Sequence, residues 1–329
     1  MTSQSATHAI DPSRLHFRSI AYTGQRAGPR LVVTGAVHGN ETCGTVAIRR
    51  LIEDIDTGRL AIVGGHVTLV PVTNPLAVAL GQRFGDRNLN RNLAPTSSPK
   101  DFEDRIGNWL CPLLAQHDVL LDLHSTRAAA PAFAMLGPPD NDGPLEPFEH
   151  HEAERELARR LGVERFVDGW LDTYAKGVAR RIAALAASGK THNPLTTDPK
   201  YGVGTTEYMR SVGGYAITLE CGQHEAPESP EVAYRAARNA LAFLGLTDDP
   251  PPPRVETVER LTLCEVIDRA HSDDAFSREW SSFTRLAEGD LIGTRHDGTP
   301  VRAPYAGYIV FPDKGAPPGN EWFYLARVR

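Results

Sequence analysis

Cysteine is scarce and scattered. Four occur in 329 residues, Cys43, Cys111, Cys221 and Cys264, and no two stand in a Cys-x-x-Cys spacing. A disulfide scaffold and a thiol-bound metal are therefore not expected; the thiols read as reduced apolar fillers of a cytoplasmic protein. Long apolar runs are missing as well. No stretch approaches 18 uninterrupted apolar residues, so no membrane span and no membrane partner are expected. Residues 1–17 lack a basic segment followed by an apolar one, so no secretory leader is expected there. An excess of positive charge is absent too. The net charge is -6 and the pI about 6.1, which speaks against nucleic acid as a general partner.

What is present fits a packed globular chain: 41% of residues are apolar and 23% charged, which excludes wholesale disorder. The length suggests about two domains at roughly 150 residues each. The clearest boundary is Asp248-Asp249 followed by Pro250, Pro251, Pro252 and Pro253, because four prolines fit neither a helix nor a central strand. Residues 1–248 are expected to form an α/β domain, 249–254 a linker, and 255–329 a small C-terminal β domain. Before the linker, buried-strand runs at Leu31 to Val37, His66 to Val72, Val119 to Leu123 and Tyr215 to Leu219 alternate with helical spacing. Ile48, Leu51, Ile52 and Ile55 mark one helix face; Phe102, Ile106, Trp109, Leu110 and Leu113 mark another. Ser229-Pro230-Glu231 reads as a capped helix start. Residues 137–147 and 189–206 are rich in Gly, Pro, Asn and Thr and read as surface loops.

Three of the strand runs end in groups able to carry chemistry. The first is Gly35-Ala36-Val37-His38-Gly39-Asn40-Glu41, where a turn can aim an imidazole and a carboxylate at one point, as zinc requires. An alternative is that Glu41 only answers a helix dipole and His38 only ends a strand. The second is Asp122-Leu123-His124. Two residues apart on a strand share a face, so Asp122 can orient a metal-binding imidazole from behind. A merely hydrogen-bonded polar cluster is again the alternative. His38, Glu41 and His124 together would make a three-ligand set with the open position of a catalytic zinc. The third is Glu220, placed before Cys221 and Gly222, which suits a general base that takes a proton from water and returns it to a leaving amine. A fourth segment, Arg83 to Asn92, gathers Arg83, Arg87 and Arg91 on a loop, where guanidinium groups can hold carboxylates.

These segments together resemble the aspartoacylase and succinylglutamate desuccinylase family, whose catalytic domain is similar to zinc carboxypeptidases. The family's GxxHGNE matches Gly35 to Glu41, its DLHxT matches Asp122 to Thr126, and its glutamate before the glycine turn matches Glu220. The resemblance implies a zinc carboxypeptidase-like mixed sheet flanked by helices, followed by a small β domain. It implies one zinc per chain and hydrolysis of an N-acyl amino acid, with a dicarboxylic, aspartate-like substrate favoured. Arg83 would assist at the carbonyl oxygen. Asn90, Arg91, Arg210 and Tyr324, the last in Asn320-Glu321-Trp322-Phe323-Tyr324, would bind substrate. The family loop reads DLNR where this chain has Asn88-Leu89-Asn90-Arg91, which leaves the choice of substrate open. Succinylglutamate desuccinylase, another deacylase, a carboxypeptidase-like peptidase and a non-catalytic zinc protein stay as alternatives, and a second copy of the chain stays open as a partner. The glycine turns of residues 288–310 also resemble a lipoyl- or biotinyl-carrier barrel. Lys314 lies in a Pro- and Gly-rich stretch unlike a carrier hairpin, so no prosthetic group is expected there.

Overall fold

The computed structural model describes residues 10–188 and 197–329. In chain order the elements of the first part are β1 (Ile20–Thr23), β2 (Arg26–Gly35), α1 (Cys43–Asp56), β3 (Gly64–Val70), α2 (Pro75–Leu80), α3 (Phe102–Leu114) and β4 (Val119–Thr126). Then come β5 (Phe133–Met135), α4 (His151–Ala158), β6 (Arg165–Asp168), α5 (Trp170–Ser188), α6 (Thr205–Ser211), β7 (Tyr215–Gln223) and α7 (Ser229–Phe243). After the prolines follow β8 (Glu259–Asp268), β9 (Ala275–Phe276), β10 (Thr284–Leu286), β11 (Leu291–Thr294), β12 (Pro300–Arg302), β13 (Gly307–Val310) and β14 (Glu321–Val328).

The centre of the sheet is parallel: β3, β2, β4 and β7 lie side by side in that order. Both of their faces are covered, which explains their unbroken apolar runs. One face, through Val33, Leu121 and Ile217, packs on Ala47 and Leu51 of α1 and Ala237 and Leu241 of α7. The other, through Val32, Leu120 and Ala216, packs on Ile106 and Leu110 of α3 and Met209 of α6. Successive strand residues thus feed two separate cores, as a period of two dictates. Since β2, β4 and β7 are parallel and adjacent, their carboxyl ends finish together at one edge, where open α/β sheets bind ligands.

The sheet does not stop at the proline run. β8 pairs in parallel with β6, and β14, β13 and β10 continue the order, giving eleven strands in one mixed sheet among the described residues. Phe133 and Val167 share a core with Leu261, Val266 and Tyr324. The strands after the linker are therefore fused to the first part through an apolar core as well as hydrogen bonds. A second sheet, β12-β11-β9, packs over Trp322, Phe323 and Leu325 of β14. Lys314, exposed, sits in the connection from β13 to β14 beside Glu279.

Two local expectations change. α7 starts at Ser229, but its hydroxyl donates to the Gln223 carbonyl at 2.9 Å and caps nothing; Pro230 alone serves the first turn. Of the loop expected at 189–206, residues 189–196 lie outside the described residues. Pro199–Gly202 forms a 3-10 turn and α6 begins at Thr205.

Candidate active site

The chain leaves β2 through Ala36, whose φ of +50° is unusual for a residue with a Cβ. The left-handed backbone there takes the chain out of the strand and into the His38–Glu41 segment. Gly39 is required there, because a Cβ would lie 2.1 Å from the Ala77 carbonyl carbon of α2. On the adjacent strand, β4 delivers His124, and the register of β4 with β7 sets His124 directly beside Glu220.

One ligand atom each from His38, Glu41 and His124 lies within 4.8 Å of the others, and all three residues are buried. The outer ring nitrogens are held from behind. His38 Nε2 meets Asn88 Oδ1 at 3.0 Å, and His124 Nε2 meets Asp122 Oδ2 at 2.8 Å. Asp122 is itself held by the hydroxyls of Thr34 and Thr205. Both Nδ1 atoms therefore face Glu41, at 2.9 Å from His38 and 2.8 Å from His124. The His38 contact lacks hydrogen-bond geometry, and its Nδ1 is a buried nitrogen with no partner. Burial and the charge of Arg83 push His38 down to about 4, so the imidazole is neutral with a lone pair to offer. Burial works the same way on His124, but Asp122 and Glu41 outweigh it and hold that ring well above the usual range; the proton it shares with Glu41 at Nδ1 is the one a metal ion would displace. Two imidazoles and a carboxylate, oriented from behind and converging on one point, fit the donor set of a zinc ion.

Asn88 explains how the chain tolerates its departure from DLNR. Its amide oxygen accepts from His38 Nε2 and from the Asn90 backbone N–H at 2.9 Å, so an oxygen acceptor suffices without the charge. Glu220 is 8% exposed and its Oε2 has no partner. Burial, reinforced by the charge of Glu41, pushes its carboxyl up to about 8. Arg83 reaches the site from its loop and binds Glu41 at 2.6 Å. Asn90 Oδ1 accepts from the Thr205 backbone N–H, which pins the loop to the start of α6. Arg91 lies over Trp170, 4.6 Å from the ring centroid, and 3.6 Å from Glu321. The Tyr324 hydroxyl is buried without a partner, and its ring packs on Trp170. These groups line one cavity of about 420 Å³.

Arg210 also lines this cavity, but its guanidinium is occupied. It makes two hydrogen bonds to Glu154, one to Glu146 at 2.8 Å and one to the Ala216 carbonyl. Sequence reading named Arg210 without these partners, which stand 56 and 64 residues away in a stretch with no periodicity to read. Glu103 was missed in the same way. It accepts from the backbone N–H groups of Gly85, Asp86 and Arg87 and shapes the arginine loop. Trp170, Tyr174 and Glu207 complete the wall and gave no signal beyond ordinary helix residues.

The family model for the succinylglutamate desuccinylase/aspartoacylase catalytic domain matches residues 27–246. The chain belongs to that family. A succinylglutamate desuccinylase of Shewanella sp. (strain MR-4) is 24% identical over 325 residues, covering 90% of this chain and 82% of that protein. The rat N-acyl-aromatic-L-amino acid amidohydrolase (carboxylate-forming) is 36% identical over 112 residues. That match covers 30% of this chain and 34% of the rat enzyme. Among solved structures, a succinylglutamate desuccinylase/aspartoacylase from Rhodobacter sphaeroides superposes with a TM-score of 0.70 at 15% identity, covering 96% of this chain and 90% of that one. This last likeness speaks for the fold. The family's members are amidohydrolases that release amino acids from N-acyl derivatives.

Proposed function

We propose that this protein is a zinc-dependent amidohydrolase that cleaves an N-acyl amino acid into the free amino acid and a carboxylate. His38 Nδ1, the Glu41 carboxylate and His124 Nδ1 would hold the ion. Bound there, zinc would supply the Lewis acidity that polarises the scissile carbonyl. Glu220 takes a proton from the attacking water and returns it to the departing amine, a role that suits a buried carboxylate with an open oxygen facing the cavity. Arg83 assists at the carbonyl oxygen. Asn90, Arg91 and Tyr324 bind the α-carboxylate end of the substrate. Residues 1–248 act as the catalytic part and residues 255–329, beyond the 249–254 linker, close the cavity through Glu321 and Tyr324.

One observation carries this reading: a partnerless imidazole nitrogen and a partnerless carboxylate oxygen, both buried, face the same cavity. Leaving such groups unsatisfied costs about 1–3 kcal/mol each, which a structural site would have removed. The open Glu220 oxygen, which lies outside the metal-binding set, argues against a zinc protein without catalysis. A cytoplasmic setting agrees with four free cysteines, and no described helix is long and apolar enough to cross a membrane. The aspartate-like preference implied by the resemblance gains nothing from Arg210, which is already neutralised by the chain's own carboxylates. The experiment is hydrolysis of N-acetyl and N-succinyl amino acids before and after chelation, with zinc added back. Activity lost on chelation and restored by zinc agrees with the reading. Undiminished hydrolysis by zinc-free protein overturns it.

A further inference from the structure

Among the described residues, five arginines besides Arg83 line the cavity, and four of them are hydrogen-bonded to carboxylates of the chain. Arg87 is paired with Asp101 and Asp104, Arg127 with Asp313, and Arg181 with Asp268. Arg91 keeps donors free: Nη1 donates to the Asn90 carbonyl, but Nη2 lies 3.6 Å from Glu321, beyond a hydrogen bond. If Arg91 takes the α-carboxylate, Arg210 is the guanidinium left for a second one. Its surroundings decide whether it can serve.

Arg210 faces three carboxylates. Glu154 and Glu146 bind it directly, and Glu207 Oε1 lies 3.7 Å from its Nη1. The arrangement is rigid. Glu154 also accepts from the backbone N–H groups of Gly137 and Ala216, and a Cβ at Gly137 would lie 2.4 Å from Arg210 Nε. Four of the five guanidinium N–H donors are used, so no bidentate face is left for a ligand. Burial keeps Glu146 up at about 7, opposed by Arg210, so part of the excess negative charge is relieved by a proton. Glu207, 8% exposed, lines the cavity with Thr218, which lies two residues before Glu220 on β7 and hence on the same strand face.

Resting on the deacylase reading, we propose that the Arg210 end of the cavity is a carboxylate-excluding subsite, with Glu207 its specificity-determining residue. The substrates are N-acyl amino acids whose side chain is neutral or carries an ammonium group, with one carboxylate only. A second carboxylate seated there would meet a region holding one guanidinium and three carboxyl groups. Like charges brought together in a desolvated site discriminate strongly. An ammonium group would instead be drawn toward Glu207.

The test compares kcat/KM for N-acetyl-lysine, N-acetyl-alanine, N-acetyl-aspartate and N-acetyl-glutamate on the zinc-loaded enzyme. The first two are expected to exceed the dicarboxylates by about tenfold or more. Glu207→Gln should narrow the ratio of lysine to glutamate derivative by several-fold. Glutamine at this third helical position can still accept from the Gly204 backbone N–H, so the cap of α6 is kept. Thermal denaturation checks that the variant is folded. Equal or better use of the dicarboxylates by the wild type overturns the proposal, as does an unchanged ratio in folded Glu207→Gln. If no N-acyl amino acid is cleaved, the deacylase reading fails, but the subsite is still tested. Free lysine and free glutamate titrated into the zinc-loaded protein by calorimetry report it without turnover. Lysine should bind and glutamate should bind at least about tenfold more weakly; the reverse order overturns it.

Discussion

The two ends of one cavity are built on opposite terms. At the end under β2, β4 and β7, buried polar atoms are left without partners: His38 Nδ1 and Glu220 Oε2. At the other end the buried charge is satisfied from within, with Arg210 held by Glu154, Glu146 and a carbonyl. Where buried polar atoms that the fold leaves open face one cavity, a bound group is their natural partner. A guanidinium whose donors the fold has used is not free to clamp a ligand, whatever its residue type suggests. The same arginine would read as a substrate clamp from sequence and reads as a strut from its hydrogen bonds.

The contrast can be broken or sharpened by substitution. The largest effect is expected for His124→Ala, which removes a donor that Asp122 orients. Hydrolysis should fall to the blank rate in a direct assay, while thermal denaturation shows a folded protein. Glu220→Gln keeps shape and removes the base, so kcat should fall by about 10²–10⁴-fold with the fold intact. At the closed end, Glu154→Gln should act on stability first. Removing one partner of a buried ion pair costs about 3–5 kcal/mol, read as a lowered midpoint in urea unfolding. If Glu154→Gln left stability unchanged and abolished turnover, the strut account of Arg210 would fail. The smallest effect is expected for Tyr324→Phe. Its hydroxyl has no partner in the chain, so its loss should cost nothing in stability. It should lower kcat/KM by about 2- to 13-fold, which corresponds to the roughly 0.5–1.5 kcal/mol of one hydrogen bond to substrate.

The open end was legible in the sequence and the closed end was not, for a physical reason. His38, Glu41, Asp122, His124 and Glu220 sit at the ends of strands whose unbroken apolar runs announce burial on both faces. Parallel pairing then brings those ends together without further information. Arg210, by contrast, takes its meaning from Glu146 and Glu154, on a loop and a short helix 64 and 56 residues away, and nothing local to Arg210 points to them. The continuity of the sheet was hidden likewise. The pairing of β6 with β8 joins Arg165 to Glu259 across the proline run, and no local pattern encodes so distant a contact. The prolines mark where the chain changes course, but the apolar core runs past them.

What the open end holds is decided by the zinc content of purified wild type, Glu220→Gln and His124→Ala, measured together by elemental analysis. About one zinc per chain is expected in the first two and almost none in the third. Zinc retained by folded His124→Ala, or lost from Glu220→Gln along with its activity, would contradict the assignment of His38, Glu41 and His124 as the metal-binding set.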